Sequence, residues 1–192
     1  MKIAEKTNTI VMTAMMICLI LLTTYIFKIP TPFQGYVHLG DTMIFLSVLI
    51  IGKKNGAVAA AFGSALSDVM GGYMIYAPWT FIIKGLMAFV MGAFIEAMIR
   101  RNAHRAEGHH AAKIAGVPLM EIIGMFIAGL VMVFDYGIAD AVIAGNVMTG
   151  ILSMPANCGQ FIAGMVIASI LSAALYKTPA RRYFTYHLDA IK

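Results

Sequence analysis

The residues best suited to chemistry in this 192-residue chain are charged side chains that interrupt long apolar runs. Lys84 falls inside the apolar run 77–99, and Asp68 lies near the end of the preceding run. An ammonium group at membrane depth costs at least ~2 kcal/mol, so it should face a partner or a wet cavity. The spacing predicts a structural ion pair between Asp68 and Lys84, a lysine that extends outward to water, or a polar ligand site around both.

Two amides, Asn157 and Gln160, form a second polar group within an uncharged stretch. Their i, i+3 spacing places them on one face of a helix. Amides at such a position can bind the polar edge of a ligand, and they can equally bond to neighbouring helices. Both interpretations stay open.

Aromatic side chains cluster in the loops that flank the charged residues, at Tyr36, His38, Tyr73, Tyr76 and Trp79. The default explanation for such a cluster is an interfacial aromatic belt. Flat apolar walls with a few convergent polar groups, however, also suit a small-ligand site. The predicted substrate-binding residues are Tyr36, His38, Asp41, Tyr76, Trp79, Lys84, Asn157 and Gln160.

Motifs for catalysis, metal binding and nucleotide binding do not occur in the sequence. His38 and Asp41 have i, i+3 spacing but no evident third ligand, and Asp41 suits the N-terminal cap of a helix. The patterns G-x-S-x-G, H-E-x-x-H and G-x-x-x-x-G-K-[ST] are missing. We therefore expect no enzyme activity, no cofactor and no bound metal, and any uphill transport would take its energy from an ion gradient or a partner.

Composition indicates the elements that must position these residues. Hydrophobic residues make up 60% of the chain and charged residues 12%, which excludes a water-soluble enzyme and a disordered chain. We predict an all-α membrane protein forming a single transmembrane domain over 1–192, with an outer, partly re-entrant loop at 137–154. The six predicted spans are 7–27, 39–52, 55–70, 77–99, 118–134 and 155–176, of which the second and third are short.

Basic residues predict the orientation. With six spans and the N-terminus inside, twelve of the fourteen lysines and arginines lie on the inner side; Lys28 lies outside and Lys84 lies within a span. This bias places both termini and the 100–113 loop in the cytoplasm. The net charge of +5 therefore reflects topology, and no nucleic-acid partner is expected.

Small residues repeat at four-residue spacing in the third predicted span, at Ala57, Ala60, Ala61 and Ser64 among others. Such residues let helix backbones approach closely. They surround much of this helix, which suggests a surface for a partner helix, with internal packing as the rival explanation.

An ordered series of short motifs resembles the substrate-binding S components of energy-coupling factor (ECF) vitamin transporters. It consists of GYVHLGD at 35–41, GKKNG at 52–56, GSALSD at 63–68, GY at 72–73, YAP at 76–78, IKG at 83–85 and P-x-N-x-x-Q at 155–160. The match covers about 35–95 well and the rest of the chain loosely.

The resemblance implies a six-helix S component in a prokaryotic cell membrane, which captures a vitamin from outside. Its partners would be a transmembrane coupling (T) subunit, two cytoplasmic ATPase subunits and membrane lipid. The family docks the coupling subunit through an Ala-x-x-x-Ala motif on its first helix. Here the nearest matches involve Thr9, Thr13 and Ala14, so the third predicted span could share this role.

The substrate that the resemblance favours is a hydroxymethylpyrimidine or pyridoxine-like heterocycle, with riboflavin and pantothenate as alternatives. A stand-alone ion-coupled carrier, with Asp68 and Lys84 as its relay, is the competing function. The sequence shows no inverted repeat, and we expect no second set of buried carboxylates in the last two spans. Both points argue against a stand-alone carrier.

Overall fold

The computed structural model describes residues 2–30, 36–103 and 112–186. It contains the helices α1 (Lys2–Ile26), α2 (Gly40–Gly71), α3 (Ala77–Ala103), α4 (Leu119–Ala144) and α5 (Val147–Tyr176). Two short antiparallel pairs connect them, β1 (Lys28–Pro30) with β2 (Tyr36–His38) and β3 (Lys113–Ile114) with β4 (Val117–Pro118), and a 3-10 helix follows α5 at Pro179–Tyr183. In these described ranges, five helices are long and apolar enough to cross a membrane.

Helix α2 turns back on itself at Gly52, where φ is 79° and ψ is 175°. A Cβ atom added to Gly56 would lie 2.9 Å from the Cα atom of Val48. Residues eight apart on a straight helix would be separated by about 12 Å, so the two arms of α2 must pack against each other. The predicted spans 39–52 and 55–70 correspond to these arms, and the prediction of six separate helices is matched only in part.

The C-terminal segment caps the break in α2. The backbone N–H of Thr185 donates to the carbonyl of Leu49 (2.9 Å), and its hydroxyl donates to the carbonyl of Ile50 (2.7 Å). The backbone N–H of Lys53 donates to the hydroxyl of Tyr186 (3.0 Å). Helix ends leave such groups without intrahelical partners, so these bonds stabilise both arms at the turn.

Replacing Tyr186 with phenylalanine should lower the free energy of unfolding by about 1 kcal/mol, because the N–H of Lys53 loses its acceptor. Thermal unfolding of the detergent-purified protein measures this change. Tyr183→Phe is the matched control, since Tyr183 is exposed and its hydroxyl contacts only a neighbouring arginine in the described part of the chain. Equal melting of the two variants would contradict a capping role.

The segment 137–154 is helical, so the prediction of an outer loop there is wrong. Helix α4 continues to Ala144, and Gly145 ends it in the left-handed conformation, with φ at 62°. Asn146 caps α5 by accepting a hydrogen bond from the N–H of Met148 (2.9 Å). Pro155 lies inside α5 and not at its start. The Gly145–Asn146 pair was therefore the helix boundary, since glycine is favoured just after a helix and asparagine at an N-cap.

The helices define two ends of the bundle. The β1–β2 pair and the turns at 72–76 and 145–146 lie at one end, which we call the strand end. Two hydrogen bonds bring these segments together, one between Tyr36 and Asp68 and one between Tyr76 and Asp140. The turn at Gly52 lies at the opposite end, which we call the basic end. The described basic residues of that end are Lys6, Lys53, Lys54, Arg100, Arg101, Lys113, Lys177, Arg181 and Arg182.

The small residues of α2 serve internal packing. Ala60, Ala61 and Ser64 are buried. A Cβ atom on Gly85 of α3 would lie 3.3 Å from the Cβ of Ala61, and one on Gly63 would lie 2.8 Å from a backbone oxygen of α1. The predicted docking role of Ala60, Ala61 and Ser64 is thus contradicted, because all three are buried within the protein.

The other predicted docking residues remain accessible. Thr9 and Ala14 on α1 are exposed, while Thr13 and Ala57 are half-buried. The hydroxyl of Thr13 donates to the carbonyl of Thr9 (2.8 Å), which removes one polar group from this face. Helix α1 therefore keeps an accessible surface with small side chains.

Candidate functional site

A buried ion pair joins α2 to α3 below the strand end. The Nζ atom of Lys84 lies 2.5 Å from Oδ1 of Asp41, and both side chains are fully buried. Gln160 of α5 donates from Nε2 to Oδ2 of Asp41 (2.8 Å) and accepts from the N–H of His38 (3.1 Å). Both carboxylate oxygens of Asp41 are therefore satisfied, as a buried charge requires.

This pairing differs from the predicted one in two ways. Lys84 pairs with Asp41 and not with Asp68, and Asp41 is not the cap of α2, whose N-cap residue is Leu39. A Cβ atom on Gly164 would lie 2.9 Å from the Cβ of Asp41, so the glycine lets α5 approach the ion pair closely. Sequence spacing places both aspartates near helix ends, and only the rotation of the helices decides which one meets the lysine.

A cleft of about 520 Å³, counted to its open mouth, lies at the strand end directly beside Gln160. The lining residues are Tyr36, Val37, His38, Asp68, Tyr76, Thr80, Tyr136, Asp140, Ser153, Ala156, Asn157 and Gln160.

Two tyrosine–aspartate pairs form polar walls of the cleft. The hydroxyl of Tyr36 donates to Oδ1 of Asp68 (2.5 Å), and the hydroxyl of Tyr76 donates to Oδ1 of Asp140 (3.0 Å). Burial and the neighbouring aspartate raise the pKa of each tyrosine well above its usual range. Both hydroxyls thus keep their protons and act as donors, while Tyr136 donates to Thr80 (3.1 Å).

His38 is a neutral member of the lining. Burial lowers its pKa to about 3, helped by the ammonium of Lys84 and opposed by Asp41. Its Nδ1 atom accepts a hydrogen bond from the N–H of Gly40 (2.9 Å), which leaves the proton on Nε2. No group of three potential metal ligands occurs among residues 2–30, 36–103 and 112–186.

Most of the predicted binding residues converge on this cleft. Tyr36, His38, Tyr76, Asn157 and Gln160 line it. Asp41 and Lys84 lie beneath it and connect to it through Gln160. Trp79 does not line the cleft and instead packs, half-buried, against the hydrophobic core.

Sequence reasoning missed Thr80, Tyr136, Asp140 and Ser153 as lining residues, and it did not include Asp68 among the predicted substrate-binding residues. Three of these missed residues lie on α4 or on the first half of α5. The predicted loop at 137–154 replaced the end of α4 and the start of α5, so these residues were not placed on helices. The expectation of no buried carboxylates in the last two spans is also wrong, because Glu121 and Asp140 are buried in α4. The sequence did carry one signal for these lining residues. A polar residue lies on each side of the Gly145–Asn146 turn, Asp140 before it and Ser153 after it.

Comparisons with known proteins agree with this architecture. Residues 4–177 match the family model described as ECF-type riboflavin transporter, S component. The chain is 25% identical over 154 residues to the thiamine precursor transporter HmpT of Lactococcus lactis subsp. cremoris, covering 80% of this chain and 78% of that protein. It is also 42% identical over 73 residues to an uncharacterized protein of Pyrococcus woesei, covering 38% of this chain and about half (49%) of that protein.

Proposed function

Because the chain belongs to the S-component family of ECF-type riboflavin transporters, we propose that it captures a small vitamin from outside the cell and delivers it to a transport complex. The family consists of membrane transporter components and is not a family of enzymes. The observation that carries the proposal is the polar cleft at the strand end, opposite the basic end of the bundle.

The proposed substrate is a hydroxymethylpyrimidine or a pyridoxine-like heterocycle. Tyrosine rings and amide groups converge on the cleft, which suits a small, flat molecule with hydrogen-bonding edges. The similarity to a transporter named for a thiamine precursor supports this choice. Riboflavin, which the family description names, and pantothenate are the alternatives.

Mass spectrometry of small molecules released from the purified protein tests this proposal. We expect a heterocyclic vitamin or vitamin precursor at near-stoichiometric amount, and its loss when Asn157 and Gln160 are both replaced by alanine. A preparation that releases no such molecule, and that binds none of the candidate vitamins when they are added, would contradict the proposal.

The proposed partners are a transmembrane coupling subunit and two cytoplasmic ATPases, since the sequence has no P-loop. In lipid, helices associate through close backbone contact across small residues. Of the predicted docking surfaces, the one on α1 around Thr9, Thr13 and Ala14 is accessible. We therefore propose that α1 docks the coupling subunit.

The proposed orientation places the basic end in the cytoplasm of a prokaryotic cell, and labelling of single cysteines tests it. In a background with Cys18 and Cys158 changed to serine, Val147→Cys at the strand end should react with an impermeant thiol reagent in intact cells. Lys177→Cys at the basic end should stay protected until the cells are opened. Both positions are exposed in the structure, so the reversed pattern would overturn the orientation.

A stand-alone ion-coupled carrier is the second candidate function. Its supporting observation is that Asp68 and Asp140 are both buried at the cleft, which gives a carrier two carboxylates within one site. The two functions differ in their energy source, so uptake with and without the ATPases separates them.

A further inference from the structure

We propose that the cleft selects ligands that present a cationic or hydrogen-donating edge to Asp68 and Asp140, and that it rejects anionic vitamins. This inference rests on the proposed function, because it assigns the charge class of the molecule that the same cleft binds. It separates aminopyrimidine-like and aminopyridine-like substrates from carboxylate-bearing ones such as pantothenate.

Asp68 carries an acceptor that the protein leaves unused. Its side chain is 2% exposed, and Oδ1 accepts from Tyr36. Oδ2 is buried and has no hydrogen-bond partner within 3.5 Å in the described ranges, although the hydroxyl of Thr80 also interacts with the Asp68 carboxyl group. A buried acceptor without a partner is costly, and Asp68 lines the cleft, so a ligand donor placed there would satisfy it.

Asp140 supplies a second carboxylate from a different helix. It lies on α4, lines the cleft and is 6% exposed, while Asp68 lies on α2. The hydroxyl of Tyr76 occupies Oδ1 of Asp140 and brings no positive charge. The two carboxylates therefore give the cleft a negative potential from two sides.

No cationic side chain in the described lining opposes these carboxylates. Lys84 is fully buried beneath the cleft and is neutralised by Asp41. His38 accepts a hydrogen bond at Nδ1 and is therefore neutral. An anionic ligand would thus enter beside Asp68 and Asp140 with no cationic side chain of the described lining to contact, because Lys28 and Lys84 act on Asp68 only from outside the lining.

The cation Lys28, which acts electrostatically on Asp68, lies outside the lining. Its Nζ atom lies 4.5 Å, 5.6 Å and 5.5 Å from the ring centroids of Tyr25, Tyr36 and Tyr73, respectively. These aromatic faces stabilise the ammonium at the rim. Lys28 forms no salt bridge with Asp68 within 4.0 Å in the described structure, so the open oxygen of Asp68 remains available to a ligand.

The ligand edge that fits best carries an aromatic amine with a protonated ring nitrogen beside it. Such an edge offers two parallel donors, and a charge-assisted hydrogen bond to a carboxylate is about twice as strong as a neutral one. The tyrosine rings that line the cleft would pack against the flat faces of the same molecule. An alcohol group can serve as a weaker donor, whereas a carboxylate group cannot donate at all at neutral pH.

Three matched probes test this inference by isothermal titration of the full-length protein in detergent. They are 4-amino-5-hydroxymethyl-2-methylpyrimidine, its 4-hydroxy counterpart and its 5-carboxylate counterpart. We expect the amino alcohol to bind most tightly, the 4-hydroxy compound at least tenfold more weakly, and the carboxylate at least a hundredfold more weakly.

Substitution of the carboxylates provides the second measurement. Asp68→Asn and Asp140→Asn should each weaken binding of the amino alcohol at least tenfold and reduce the discrimination against the carboxylate probe. Asp135→Asn is the matched control, because Asp135 lies on α4 outside the lining. The wild-type probe series needs no variant, so the test stands even if one substitution impairs folding.

Binding of the carboxylate probe as tight as that of the amino alcohol would overturn the inference, as would unchanged affinity in both aspartate variants. Binding of none of the three probes would also overturn it. Release of an anionic vitamin from the purified protein would overturn the charge selection alone and leave the proposed vitamin capture intact. Release and binding of no vitamin would instead remove the proposed function.

Discussion

Replacing Lys84 with methionine should lower the free energy of unfolding by about 3–5 kcal/mol, because it leaves the buried charge of Asp41 without its partner. Lys84 is fully buried, and its ammonium group contacts Asp41 of α2 and Met132 of α4. Gln160 alone would then face the carboxylate, and an amide cannot neutralise it. We therefore expect poor yield and a large loss of thermal stability in detergent.

Two further variants show whether the unpaired charge of Asp41 causes the loss of stability. Lys54→Met is the matched control, since Lys54 is exposed at the basic end and should tolerate the same change. The double variant Asp41→Leu with Lys84→Met should recover much of the stability, because removing both charges is far less costly than removing one. A stable Lys84→Met single variant would show that the ion pair does not hold these helices together.

Replacing Ala14 with leucine should reduce ATP-dependent uptake at least tenfold while ligand binding by the isolated chain stays near normal. Ala14 is exposed on α1, so a larger side chain would block close approach of a partner helix without altering the distant cleft. Uptake and complex pull-down in the reconstituted system, together with binding to the isolated chain, measure the three effects on one preparation.

A buried alanine on α2 shows what a packing defect would look like, in contrast to the docking defect expected for Ala14→Leu on α1. Ala60→Leu should cost about 1–3 kcal/mol of stability and lose binding with it, since Ala60 is fully buried. Ala174→Leu, on an exposed face of α5, is the control that should change neither binding nor uptake. Normal uptake by Ala14→Leu would contradict docking through α1.

The sequence predicted the elements whose boundaries carry strong local signals. The uncharged run 7–27 became most of α1, and the run 77–99 became most of α3, which has a pair of arginines in its last turn. The lysine pair after Gly52 correctly marked a reversal of the chain. Lys84 was also recognised as a buried cation in need of a partner, because an ammonium within an apolar helix is costly wherever it points.

The remaining errors came from properties that sequence spacing does not contain. Pro155 suggested a helix start, yet α5 accommodates it in its interior and so brings Ser153 to the cleft. The partner of Lys84 depends on how α2, α3 and α5 rotate against one another, which the distance between charges along the chain cannot give. Trp79 looked like a ligand platform, but the rotation of α3 directs it to the core.

The most direct test of the account is vitamin uptake into proteoliposomes that contain this chain together with the proposed coupling subunit and the two proposed ATPases. We predict uptake only with the complete complex and ATP, and none when the P-loop lysine of the ATPases is replaced. Uptake that persists without the ATPases and follows an imposed proton gradient would contradict the account and support a stand-alone carrier.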